Sequence, residues 1–209
     1  MQNKKGLFIT FEGADGCGKT TQIGLVKKYL SEKNINTITT LEPGGSDIGK
    51  QLRQILLHYD GFVSSRAEMF LFLADRSQHI DTVIKKNVDE GVVVLCDRHT
   101  DSTIAYQGYG KGEDIEQIEF LNKIATDNFK PDLTFVFDVD SLVAQKRVGD
   151  NKDRLEAQGL EFHKKVRFGY LELAKKYPQR IKVIDANKTI EEVFEQVKKY
   201  IDEILWIKK

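Results

Sequence analysis

The sequence predicts an α/β fold of three layers, α/β/α, around a five-stranded parallel sheet. Three observations carry this. Short apolar or β-branched runs alternate with longer stretches of helical periodicity. One of those runs, Val92–Cys96, is uniformly apolar, as a strand covered on both faces must be. A glycine-rich turn, Gly13 to Gly18, stands between the first strand and the first helix.

Taken in order, Leu7–Phe11 is a short apolar run closed by Glu12-Gly13 and reads as a buried strand. Lys19–Lys33 places Ile23, Val26, Tyr29 and Leu30 at helical spacing. Asn36–Leu41 is a second strand, ended by Pro43-Gly44-Gly45. Ile48–His58 carries Ile48, Leu52, Ile55 and Leu56 on one face of a helix. Ser65–Glu90 is a long amphipathic stretch with a cap at Ser64 or Ser65, stopped by Gly91. After the Val92–Cys96 strand, Gly108, Gly110 and Gly112 mark the Ser102–Gly112 segment as a loop, and a helix follows near Asp114–Asp127. Leu133–Val139 is the fourth strand and Ser141–Val148 a helix. Gly149–Gln158 is polar and aperiodic, a mobile loop. Leu160–Tyr177, Ile181–Asp185 and Thr189–Leu205 complete the pattern as helix, strand and helix, Thr189 serving as a cap. No linker or repeat interrupts the chain, so residues 1–209 read as one domain.

Composition excludes several classes. The 209 residues are 40% apolar and 31% charged, ordinary for a globular protein. Thirty-two basic residues balance thirty-two acidic ones, which predicts neither a nucleic-acid partner nor an anionic membrane surface. The first apolar run is too short for a signal peptide core, and no run approaches the roughly 20 residues that span a bilayer. Cys17 and Cys96 read as free, buried thiols of a reducing compartment, hence a cytoplasmic protein. His58, His79, His99 and His163 form no cluster along the chain.

The glycine-rich turn, Gly13-Ala14-Asp15-Gly16-Cys17-Gly18-Lys19-Thr20, fits G-x-x-x-x-G-K-[ST] in full. Glycines let successive backbone N–H groups face one phosphate, and the following helix aims its positive end at the same anion. Lys19 would reach the β- and γ-phosphates of ATP, and the Thr20 hydroxyl would ligate Mg²⁺, with Thr21 completing the nucleotide contact. The fold class is therefore that of a P-loop NTPase. A P-loop alone does not separate kinases from switches or motors.

In an open parallel sheet, ligands bind beyond the carboxyl ends of the strands. Asp97 and Arg98 end the third strand there, Asp97 as a second metal partner and Arg98 toward the crevice. Phe72 and Arg76 lie four apart on one helix face, a ring and a guanidinium that can grip a base. An aromatic on a helix is usually core, and spacing alone leaves Phe72 there. Tyr106 and Gln107 could meet a base edge or sugar, or belong to a plain surface loop. Arg147 and Arg154 flank or occupy the Gly149–Gln158 segment, which also holds Asp150 and Lys152; a mobile loop with arginine can close over ATP and neutralise transition-state charge.

Together these motifs resemble one family, the thymidylate kinases. They are Phe11 to Gln22, Glu42-Pro43-Gly44-Gly45, Phe72 to Arg76, Asp97-Arg98-His99, Ser102 to Gly108, and Pro131-Asp132-Leu133. The resemblance implies phosphorylation of dTMP to dTDP with Mg-ATP, a step toward dTTP for DNA synthesis. It implies a homodimer through the long helix, whose apolar Phe70, Leu71 and Leu73 accord with that. It implies Asp15 at the sugar 3′-hydroxyl, Arg98 on the dTMP phosphate, Asp97 near the metal, Phe72 stacked on thymine and Arg76 as its hydrogen-bond donor. Tyr106 then crowds the ribose 2′ position, Gln107 lies beside the nucleoside and Ser102 near the base. Gly16, where some members have a basic residue, makes this the type whose catalytic arginine lies in the lid, residues 149–158; Arg154 is the first candidate and Arg147 the second. The turn here has Leu41 where the family often has arginine, and Arg53 is a possible substitute. Two rivals remain on the residues themselves: a kinase for another small acceptor, and a P-loop switch that hydrolyses nucleotide without one.

Overall fold

The computed structural model describes residues 6–149 and 153–207. Within them, five strands form one parallel sheet: β1 (Phe8–Glu12), β2 (Thr37–Leu41), β3 (Val93–Asp97), β4 (Leu133–Asp138) and β5 (Ile181–Asp185). Their order is β2-β3-β1-β4-β5. Phe11 stands opposite Asp97, and Glu12 opposite Val136. The chain therefore leaves β1 and β3 side by side, at the point where strand order reverses and where such sheets bind ligands.

Alternation along each strand sorts side chains into two layers. Ile9, Phe11, Phe135 and Phe137 face α1 (Lys19–Glu32) and α9 (Ile190–Ile207), through Val26, Leu30, Val197 and Ile201. On the other face, Phe8 and Val94 meet Ile80, Ile84 and Val88. Val136 meets Ile104, Tyr106, Val166 and Tyr170 there. Glu12 shares this second face, so a carboxylate at the end of an apolar strand is carried under the helices rather than out to water.

The remaining helices are α2 (Asp47–His58), α3 (Ser65–His79), α4 (Lys85–Asp89), α5 (Thr100–Thr103), α6 (Ile115–Thr126), α7 (Ser141–Val148) and α8 (Leu160–Lys176). Ser64 caps α3 by accepting from Ala67 N, as its position predicts. Thr189 and Glu192 form a reciprocal capping box before α9.

Three sequence expectations are corrected. The long Ser65–Glu90 helix contains a π-helical turn, Ile80–Ile84, between α3 and α4. Apart from the turn at Lys111–Gly112, where Gly112 has φ 82°, Ser102–Gly112 is no loop: α5 runs directly into a second π-helical segment, Ile104–Gly110. Its glycines serve close packing instead of a turn. A Cβ at Gly110 would stand 2.6 Å from the Phe162 ring, and one at Gly169 of α8 would stand 2.7 Å from Tyr109. Leu73, read as part of an association face, is buried, whereas Phe70 is exposed. Of the lid expected at 149–158, residues 150–152, with Asp150 and Lys152, lie outside the described residues.

Candidate active site

The glycine-rich turn curls as its spacing requires. Gly13, Gly16 and Gly18 all have positive φ, at 139°, 79° and 94°. Lys19 is buried and its Nζ donates to the carbonyls of Gly13 (3.2 Å) and Ala14 (3.3 Å). These are neutral partners, which an incoming phosphate can outcompete. Thr20 opens α1 and is exposed. A Cβ at Gly16 would stand 2.4 Å from the Ala144 carbonyl, so α7 lies hard against the loop.

Beside the loop, Arg98 and Asp15 form the central ion pair, Nη2 to Oδ1 at 2.5 Å. Arg98 itself has a left-handed backbone, φ 69°. Its Nη1 donates to Gly13 O (3.0 Å), and its guanidinium lies over the Tyr106 ring. Tyr106 donates its hydroxyl to the other Asp15 oxygen at 3.1 Å. Burial would raise the Asp15 carboxyl, but Arg98 and then Lys19 outweigh it and hold Asp15 well below the carboxylate range.

Beneath this pair lies Glu12, fully buried. It accepts from His99 N (2.7 Å), Ser102 Oγ (2.6 Å) and Tyr170 OH (3.2 Å). Ser102 and Tyr170 in turn each lie within reach of Arg98 Nη1. The sequence reading puts Ser102 near a base; here its hydroxyl is committed to Glu12 while one edge lines the cleft. Burial, reinforced by Asp101, lifts Glu12 from the ordinary 4.5 to about 7.

The cleft next to Arg98 is lined by Asp15, Phe72, Arg76, Tyr106 and Gln107, which the structure thus brings together. Phe72 is half-buried and packs with Leu57 and Leu155, leaving a ring toward the cleft. Arg76 is buried, and four of its five N–H groups are used. They meet Glu42 Oε2 (2.9 Å), Thr103 Oγ1 (2.8 Å), Asn122 Oδ1 (2.7 Å) and His99 O (3.0 Å). The fifth, on Nη2, has no partner among the described residues. Arg53 also lines the cleft, bonded to Pro43 O, so a cation does stand near the turn that carries Leu41.

The histidines, scattered in sequence, are not scattered in space. His79 and His99 both place Nδ1 3.0 Å from Glu42 Oε1. This corrects the reading that no histidines cluster. Burial presses His99 below its ordinary range, although Glu42 pulls the other way. Arg76 and the two imidazoles oppose the burial of Glu42 and keep it well below the glutamate range. Glu68 escaped sequence reasoning, and Glu42 reads in sequence only as part of the Glu-Pro-Gly-Gly turn, with no role of its own. The signal for Glu68 was its place four residues before Phe72 and eight before Arg76, on one helix face.

The two lid arginines part company. Arg147 Nη1 lies 3.4 Å from Gly16 O, against the P-loop. Arg154 points away, its guanidinium on Leu56 O and paired with Glu68. The structure brings Arg147, not Arg154, to the phosphate cradle. Residues 153–156 form a tight reciprocal turn, in which Asp153 Oδ1 accepts from Leu155 N and Glu156 N, and Glu156 Oε2 from Asp153 N.

A divalent metal fits one corner. Asp97 Oδ1 is buried, yet has no hydrogen-bond partner among the described residues, and Asp97 ends β3 opposite Phe11 of β1, the strand that leads into the glycine-rich turn and Thr20 of α1.

Glu12 sets a pH test. Unfolded, it ionises near 4.5; folded, near 7. Between those values the folded chain keeps a proton that the unfolded chain has released, so folding stability falls as pH rises through the window. Urea midpoints of the wild type should decline between pH about 4.5 and about 7 more steeply than those of Glu12→Gln. Parallel curves would remove Glu12 as the cause.

A family model described as thymidylate kinase matches residues 11–197. The thymidylate kinase of Clostridium novyi (strain NT) is 45% identical over 202 residues, covering 94% of this chain and 98% of the relative. That of Sulfurihydrogenibium sp. (strain YO3AOP1) is 46% identical over 189 residues, 90% of this chain and 93% of the relative. The crystal structure of thymidylate kinase from Ehrlichia chaffeensis superposes with a TM-score of 0.77 at 38% identity, covering 94% of this chain and 99% of that one. A family model over most of its length, relatives at 45% and 46% identity, and a P-loop beside a clamped Asp15–Arg98 pair agree: the chain belongs to the thymidylate kinase family.

Proposed function

We propose that the chain transfers the γ-phosphoryl group of ATP to dTMP, giving dTDP on the way to dTTP. One observation carries this beyond the family: the cleft that holds Phe72, Arg76, Tyr106 and Gln107 opens onto the P-loop through the Asp15–Arg98 pair. The remaining Arg76 N–H suits the O4 acceptor of thymine, Phe72 the face of the ring, and Asp15 the sugar 3′-hydroxyl. Tyr106, bonded to Asp15, stands where a 2′-hydroxyl would crowd it.

Transfer needs no covalent intermediate, and a phosphate oxygen at neutral pH needs no strong base to attack phosphorus. The residues therefore position and neutralise. Lys19 exchanges the carbonyls of Gly13 and Ala14 for phosphate oxygens. Arg98 holds the dTMP phosphate, and residues 13–21 wrap the ATP phosphates. Thr20 and Asp97 would hold Mg²⁺, which when bound offsets the triphosphate's negative charge. Of the two lid candidates, Arg147, beside Gly16, is the one that stands at the P-loop, and Arg154 becomes available only by leaving Glu68.

Residues 1–209 act as one kinase domain with a lid at 149–158. Exposed Phe70 on α3, with Phe120 and Ile124 on the adjoining α6, supports a homodimer through this face. No helix among the described residues is long and apolar enough to cross a membrane. Free, buried Cys17 and Cys96 suit a reducing cytoplasm.

ADP release from Mg-ATP with dTMP, dUMP, UMP, CMP, AMP, GMP or thymidine as acceptor tests the reading. Strong turnover with dTMP, weak with dUMP and little otherwise is the expected pattern; release that ignores every acceptor would make the chain a switch. Lys19→Ala should fold normally and lose about 10²–10³-fold in kcat. Arg147→Ala should lower kcat more than Arg154→Ala does, with the KM for ATP little changed. The opposite ranking in the same assay would return the catalytic role to Arg154.

A further inference from the structure

Glu68 is a buried carboxylate that the mechanism above does not use. It lies on the same face of α3 as Phe72 and Arg76, and three side chains converge on it. Lys111 Nζ donates to Oε1 at 2.6 Å, and Gln107 Nε2 donates to the same oxygen at 2.9 Å. Arg154 Nη2 pairs with Oε2 at 2.5 Å while it donates to Leu56 O. Gln107 is itself buried and lines the cleft. Its Oε1 has no hydrogen bond among the described residues.

An ionised carboxylate can only accept. The end of Gln107 that faces Glu68 must therefore be the NH₂ group, which leaves the carbonyl oxygen as the end turned away from Glu68. The orientation matters because a glutamine amide is a donor at one end and an acceptor at the other. Beside it, Arg76 has a single N–H left. Between them, Arg76 and Gln107 thus offer a base one donor and one acceptor. Thymine presents the complement, O4 as acceptor and N3–H as donor. Cytosine presents the reverse, an exocyclic NH₂ donor and an N3 acceptor.

We propose that Glu68 is a positioning residue for acceptor choice: by taking the amide NH₂ of Gln107 it turns the Gln107 oxygen toward the base, and so selects thymine against cytosine. Lys111 and Arg154 have a distinct part in this. Burial favours the protonated acid, but the bonds from Lys111 and Gln107 and the charges of Lys111 and Arg154 prevail and hold Glu68 below its ordinary range. Were Glu68 protonated, it could donate, and Gln107 would be free to turn over.

The inference rests on dTMP being the acceptor. The test compares wild type, Glu68→Gln, and the exchange Glu68→Gln with Gln107→Glu. Two numbers are read: the KM for dTMP, and the inhibition constant of dCMP against dTMP turnover. An amide at position 68 can present either end to Gln107, so Glu68→Gln should raise the KM for dTMP by about tenfold or more while dCMP inhibits as well as before or better. In the exchange, the amide at position 68 donates to the new carboxylate at position 107, whose second oxygen again faces the base as an acceptor. It should recover most of the lost preference, with the local charge unchanged. Equal weakening of both nucleotides in Glu68→Gln, or no change, overturns the proposal. If that variant does not fold, the exchange decides: thymine preference kept supports the orientation, and preference lost overturns it. A wild type that phosphorylates no dTMP would overturn this inference and the proposed function together, whereas a wild type active on dTMP with an unaltered ratio in the variants overturns only the inference.

Discussion

The rest of the structure depends on the burial of one charge, the carboxylate of Glu42. A charge removed from water must be met by opposite charge and by donors, or the group neutralises. Glu42 sits at the end of β2, and its partners come from elsewhere: Arg76 and His79 from α3, His99 from the segment after β3. Arg76 then spends its other N–H groups on α5, α6 and the His99 carbonyl. Five pieces of chain are tied through two side chains. The turn after Glu42 is shaped by the same cluster. Asp75 accepts from Gly44 N, and a Cβ at Gly45 would stand 2.3 Å from the His79 ring, so the Pro-Gly-Gly sequence allows the turn to lie against it. Removing one member would leave the others buried and unpaired, which costs about 3–5 kcal/mol for a buried ion pair.

The second consequence is electrostatic. Arg76 and Arg98 are both held before any ligand arrives, one by Glu42 and the other by Asp15. A guanidinium fixed by its own carboxylate loses little rotamer freedom on meeting a nucleotide, and both side chains already line the cleft. Glu12 extends the arrangement downward, fastening Ser102 and Tyr170 under Arg98. The nucleotide would therefore meet a set of donors whose reorganisation has largely been completed by folding.

Legibility followed sequence distance. The P-loop was readable in full because its function needs contiguous residues, with glycines at fixed offsets and a lysine at the helix start. The central strands β1, β3 and β4 were readable because parallel strands covered on both faces are nearly continuously apolar, and the edge strands β2 and β5 because short β-branched or apolar runs stand between helical stretches. Most of the Ser102–Gly112 segment was misread because glycine signals a turn in isolation; only the approach of α8, with Phe162 packed over Gly110, gives that glycine a helical purpose. The histidine pair and the Glu68 cluster were invisible for a related reason. Glu42, His79 and His99, or Glu68, Gln107, Lys111 and Arg154, share no spacing that marks them.

By itself the sequence determined the layer architecture, the phosphate cradle and the family, because each rests on local periodicity or on residues adjacent in the chain. Tertiary structure alone decided which polar side chains would be buried together. It put Arg154 on Glu68 and Arg147 at Gly16, left Arg76 one free N–H, and turned the Gln107 amide. Those outcomes depend on which distant groups meet inside a low-dielectric interior, where an unpaired donor or charge is costly.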